Sequence, residues 1–77
     1  MIKVLLFAHL QEEAGKDQIN YDRESITVKE LKTSLQNDFG LAELEQVMTA
    51  INEEYAMDED MVKSGDTVAF IPPVSGG

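Results

Sequence analysis

The residues best placed to do chemistry are the last six, Pro72-Pro73-Val74-Ser75-Gly76-Gly77. The two prolines lack amide donors and hold φ at about −65°, so strand pairing must stop there and the chain must run on extended. At about 3.3–3.6 Å per residue, the segment from Pro72 to Gly77 reaches roughly 20 Å, enough to enter a deep pocket on another protein. Val74 and Ser75 are small and Gly76 and Gly77 carry no side chain, so the arm can thread a channel too narrow for any Cβ. The group it would deliver is the Gly77 carboxylate. A carboxylate is a poor electrophile at neutral pH, and dividing one hard step into easier ones calls for activation by ATP as an acyl adenylate. Attack by sulfide, or by a persulfide whose acyl disulfide a thiol then cleaves, gives a thiocarboxylate, a nucleophilic sulfur on an arm. Held in a partner's dry site, that sulfur replaces a high concentration of free sulfide.

Such an arm needs a body to project from, and the sequence outlines one. Met1 to Ala8 is an almost continuous apolar run, which predicts a central strand covered on both faces. His9 to Ala14 predicts a short helical turn stopped at Gly15, and Gln18 to Asp22 alternates as a half-buried strand pairing back on the first. In S-I-T-V-K-E-L, Thr27 and Glu30 have capping-box spacing and Ile26 can staple onto Leu31. Val28, Leu31, Leu35 and Phe39 then form one helical stripe, closed by Gly40. The linker G-L-A-E-L-E-Q could hold another short helical turn. Val47 to Asn52 predicts a third strand, with an edge piece at Tyr55 and Ala56 after the Glu53-Glu54 turn. Lys63 to Asp66 reads as a turn and Thr67 to Ile71 as the last strand.

One helical stripe has to bury against one sheet face. The strand order cannot be a regular βαβ alternation, so the fold class expected is α+β: a β-grasp body at residues 1–71, a mixed sheet packed on one main helix, followed by a flexible tail at 72–77. The first strand would lie mid-sheet beside the last.

Composition narrows the partners. With 77 residues and no cysteine, the chain has neither disulfides nor thiolate metal sites, and a core of this size supplies only about 3–5 kcal/mol. Its net charge of −9 argues against nucleic acid or an anionic membrane, which need clustered Lys and Arg, and favours a basic protein partner. The apolar amino terminus is too short to span a bilayer and lacks a cleavage signal, so a cytoplasmic location is expected.

Other chemistry is poorly supported. His9 is the only histidine, so no metal cluster or nucleophile pair can form around it. Asp58-Glu59-Asp60 lacks the spacing and glycine of a calcium loop and reads as a solvated turn. Met48, Met57 and Met61 read as core fillers. No glycine-rich phosphate loop is present, so no cofactor is expected on this chain and ATP belongs to the partner's site. On these residues alone, a sulfur carrier for one of several pathways and a sheet-binding adaptor without chemistry both stay open.

The opening M-I-K-V-L-L-F-A, then A-I-N, S-G-D-T-V-A-F and the closing P-P-V-S-G-G, resemble the MoaD and ThiS sulfur-carrier family over nearly the whole chain. The phenylalanine-proline-glycine ending is the most specific part, and its double proline favours the molybdopterin branch over carriers for thiazole synthesis or transfer-RNA thiolation. The resemblance implies a ubiquitin-like fold. It implies that Gly77 is adenylated by a ubiquitin-activating-like enzyme and converted to a thiocarboxylate, and that the tail from Pro72 to Gly76 threads into the large subunit of molybdopterin synthase. There the sulfur would go to cyclic pyranopterin monophosphate, toward a dithiolene, within a heterotetramer of two large and two small subunits. The chain would thus be a carrier, not an enzyme on its own. Apolar sheet residues near the tail, here Phe7, Phe70 and Val74, would meet the partner, although Phe70 also reads as ordinary core, since a strand residue can face either way. One departure stands out: relatives often carry a basic residue after the first strand where this chain has H-L-Q-E-E.

Overall fold

In the computed structural model, residues 1–41, 44 and 47–72 are described. Their elements run β1 (Ile2–Leu6), α1 (His9–Ala14), β2 (Gln18–Tyr21), β3 (Ser25–Thr27), α2 (Val28–Phe39), β4 (Met48–Ile51), β5 (Glu54–Ala56), β6 (Met61–Lys63) and β7 (Thr67–Ile71). Among the described residues the main sheet has the order β2-β1-β7-β4-β5. Its two central strands are parallel, Val4 opposite Val68 and Leu6 opposite Phe70, and every other pair is antiparallel. One long helix across a mixed sheet is the β-grasp architecture, with β1 mid-sheet beside the last strand.

The helix is set by its ends. Thr27 Oγ1 accepts from the Glu30 amide at 3.1 Å, and Glu30 Oε1 accepts from the Thr27 amide at 3.4 Å, so the capping box satisfies two groups that the first turn leaves over. The next two amides, Val28 and Lys29, donate to the carbonyls of Asp60 and Asp58. The acidic turn is therefore a lid on the helix start, and Asp58 also takes the buried Lys32 ammonium at 2.9 Å. Gly40, at φ 68°, ends the helix with its amide on the Gln36 carbonyl. Val28, Leu31 and Leu35 are buried with Ile2, Val4, Leu6, Ile19, Val68 and Phe70 in one core. Each full burial contributes about 1.5–3 kcal/mol.

Several expectations change. The sequence places β1 under cover on both faces, but its residues alternate: Ile2, Val4 and Leu6 are buried, Lys3 is exposed and Leu5 is half-buried. The helix covers one face, and no second layer of the described residues covers the other. Met48, Met57 and Met61, read as core, are 45%, 68% and 49% exposed, because Leu and Val already fill the space between helix and sheet. Ser25–Thr27 and Met61–Lys63 pair as a second, two-stranded sheet where the sequence shows only a helix start and a turn. The linker turn falls largely on residues 42, 43, 45 and 46, outside the described residues. Among the described residues no helix is long and apolar enough to cross a membrane.

Candidate functional site

The uncovered sheet face holds a groove of about 660 Å³ lined by Leu5, Phe7, Ala50, Tyr55, Ala69 and Ile71, with Asn52, Glu53 and Thr67 at one end. The register explains its shape. Leu5 and Ala50 both lie opposite Ala69, and Tyr55 lies opposite Ala50, so one row across four strands reads Leu-Ala-Ala-Tyr. Two methyl groups make the floor and larger side chains the walls. Phe7 stands at the end of β1, where Ala8 turns the chain with φ 53° and the Leu10 amide closes back on the Phe7 carbonyl. At 44% exposure, Phe7 is available to a partner. An apolar patch of this kind on a small protein marks an interaction site.

Phe70 is not part of it. The residue has no exposed surface, because inward and outward positions alternate along β7 and Val68 and Phe70 take the inward ones. The docking role expected for Phe70 is corrected to core packing, and Ile71, one position later, faces the groove. Leu5, Ala50, Tyr55, Ala69 and Ile71 were missed by sequence reading. The signal is their placement on four strands, which becomes a surface only when the register is known.

The arm begins where β7 stops, at Ile71, as the prolines require. Pro72, the first residue after the strand, is buried. Pro73, Val74, Ser75, Gly76 and Gly77, to which the other tail roles were assigned, lie outside the described residues. Among the described residues no group of His, Cys, Asp or Glu is arranged to hold a metal ion.

The groove's polar end is fixed by Asp66. Its carboxylate accepts from the Lys63 amide at 2.9 Å and from Asn52 Nδ2 at 3.0 Å, while Asn52 Oδ1 accepts from the Thr67 amide at 3.0 Å. The Lys63 amide, and after it the Asn52 carboxamide, holds the Asp66 carboxyl below its ordinary 3.8. A lowered folded value means that this contribution is complete above the unfolded value and is lost as pH falls through the folded one. Asp66→Asn is therefore expected to be less stable than the unaltered protein at neutral pH, with the gap closing as pH falls below the ordinary carboxyl value of 3.8 and through the lowered folded one. Urea-unfolding midpoints of both proteins across that range check it.

Comparison with known proteins agrees with this geometry. A family model described as the ThiS family matches residues 4–77. The chain is similar to the molybdopterin synthase sulfur carrier subunit of Haemophilus influenzae, at 36% identity with both chains covered in full. Among solved structures it is similar to SAMP1 from Haloferax volcanii, with TM-score 0.77 and 27% identity over 99% of this chain and 98% of that one. It also resembles a chain in the complex of subunits 1 and 2 of molybdopterin-converting factor from Helicobacter pylori, with TM-score 0.70 and 27% identity over 99% and 97% of the two chains. A β-grasp body, an open apolar sheet face and a Pro-Pro-Val-Ser-Gly-Gly ending thus coincide in one sequence, and the chain belongs to the ThiS family.

Proposed function

We propose that this chain is the sulfur-carrier small subunit of a molybdopterin synthase. The observation that carries the reading is the open apolar groove at the root of the arm: Ile71 lines it, and the glycine-ended segment starts at the next residue. A body that docks by that face directs its arm into the same partner. The H. influenzae relative's name supports the pathway, and the H. pylori complex supports a large subunit as the occupant of the groove.

In this reading a ubiquitin-activating-like enzyme joins the Gly77 carboxylate to AMP, releasing pyrophosphate from ATP. Sulfide-level sulfur displaces AMP, leaving a thiocarboxylate. The arm then carries that sulfur into the large subunit and gives it to cyclic pyranopterin monophosphate toward the dithiolene. The carrier binds no cofactor itself, works in the cytoplasm, and supplies position while the partners supply the catalytic groups. The body is residues 1–71 and the arm 72–77.

The test is to incubate the purified chain with its activating enzyme, ATP and a sulfur donor, follow oxygen-for-sulfur exchange by intact mass, then add the large subunit and pyranopterin. Exchange followed by dithiolene formation is the expected result. Exchange that yields thiazole and no dithiolene would assign the carrier to another pathway. No exchange at all would leave an adaptor.

A further inference from the structure

We propose that Glu53 is a specificity-determining residue, selecting a cationic side chain, Arg or Lys, on the protein that covers the sheet groove. The inference rests on the reading of that groove as the docking face for the large subunit, and it adds the chemistry of one contact.

Two independent observations support it. The first is electrostatic. Among the described residues Glu53 is the only charged one lining the groove, and no ion pair or hydrogen bond among them engages its carboxylate. While the groove is open, water solvates that carboxylate. Once an apolar partner surface closes over Leu5, Ala50, Tyr55 and Ala69, the water leaves, and an ionised carboxylate at the rim becomes costly unless the partner supplies a donor. The net charge of −9 gives the chain no shortage of surface acids, so solubility does not require one here.

The second observation is conformational. β4 and β5 are joined by a two-residue turn, with Ile51 opposite Glu54 and positive φ at both central residues, Asn52 at 51° and Glu53 at 72°. This is the geometry of a type I′ turn, whose second central position strongly favours glycine. Glu53 occupies it against that preference. The turn cannot relax by shifting register, because Asn52 is tied to Thr67 and Asp66 by three hydrogen bonds, of which the backbone one, Asn52 amide to Thr67 carbonyl, is 2.8 Å. A strained residue held by a rigid anchor at the mouth of a groove fixes where its side chain begins.

The experiment is titration calorimetry of the full chain against the large synthase subunit at two salt concentrations, with Glu53→Gln and Glu53→Gly beside the unaltered protein, together with melting curves. Glu53→Gln is expected to weaken binding by about 30-fold or more and to flatten the salt dependence. Glu53→Gly is expected to bind as weakly while melting roughly 4–8 °C higher, because the turn strain is relieved. That pairing of a firmer fold with poorer docking is a signature that a purely structural role would not give. Binding of Glu53→Gln within about twofold of the unaltered chain, or a lower melting temperature for Glu53→Gly, would overturn the inference and leave the docking reading intact. If the unaltered chain itself fails to bind the large subunit, the docking reading and this inference fall together.

Discussion

Deleting Gly77, or adding one alanine after it, is expected to lower dithiolene formation by at least about a thousandfold while leaving the melting temperature of the body unchanged. The argument is one of length. β7 ends at Ile71, and the six residues from Pro72 to Gly77 span at most about 20 Å when extended. One residue more or fewer moves the acyl carbon by about 3.5 Å, as far as the whole reacting distance of about 3–3.5 Å. Displacement by even 1 Å can cost about a hundredfold. Ser75→Ala keeps the length and is expected to act within a few-fold of the unaltered chain, so that substitution separates arm length from side-chain chemistry. Single-turnover product formation with the assembled synthase is the measurement. Full activity in the extended variant would remove the reason for assigning the chemistry to Gly77.

Phe70→Ala is expected to unfold the protein, or nearly so. Phe70 is fully buried, flanked on the inner face by Leu6 and Thr49 and in one cluster with Leu31 and Leu35. Truncating a core phenylalanine costs about 3–5 kcal/mol, which equals what a cysteine-free domain of this size commonly has. Phe7→Ala, by contrast, removes a side chain that is nearly half exposed, and its expected effect is on partner affinity with little change in urea midpoint. The two variants, compared by urea unfolding and by binding to the large subunit, distinguish core from docking residue directly. A Phe70→Ala protein with an unchanged midpoint and lost binding would reverse the assignment.

What the sequence disclosed depended on the range of the interactions involved. Local signals were legible: the Thr27–Glu30 box, the stops at Gly15 and Gly40 and the end of pairing at the prolines to the residue, and the edge piece to within one position, its turn falling on Asn52-Glu53 instead of Glu53-Glu54. Each is decided within a few positions of chain. The pairing of Ser25–Thr27 with Met61–Lys63 was not legible, because three-residue strands more than thirty positions apart leave no periodic trace, and S-I-T carries a stronger helix-start signal. The inward or outward facing of Phe70 was equally hidden, since it depends on which alternating set meets the helix. The misreading of β1 was informative in itself. Its run of apolar residues asks for two covered faces, the folded body covers one, and the uncovered set of Leu5 and Phe7 turns out to be the groove. Apolar residues in excess of what the described body buries were visible in the sequence, but their gathering on one open face was not. The three methionines placed in the core fell outside it for a simpler reason: the leucines of α2 and of the segment after it already occupy that volume.

The parallel contact of β1 with β7 has a consequence for biosynthesis. Strand β1 is made first and its central neighbour last, so on the ribosome the early half of the chain waits with one long edge unfilled while some sixty residues are added. Only when β7 emerges can the sheet close. A nascent or truncated molecule without β7 lacks Ala69 and Ile71, so the groove itself is assembled only at the last stage of folding.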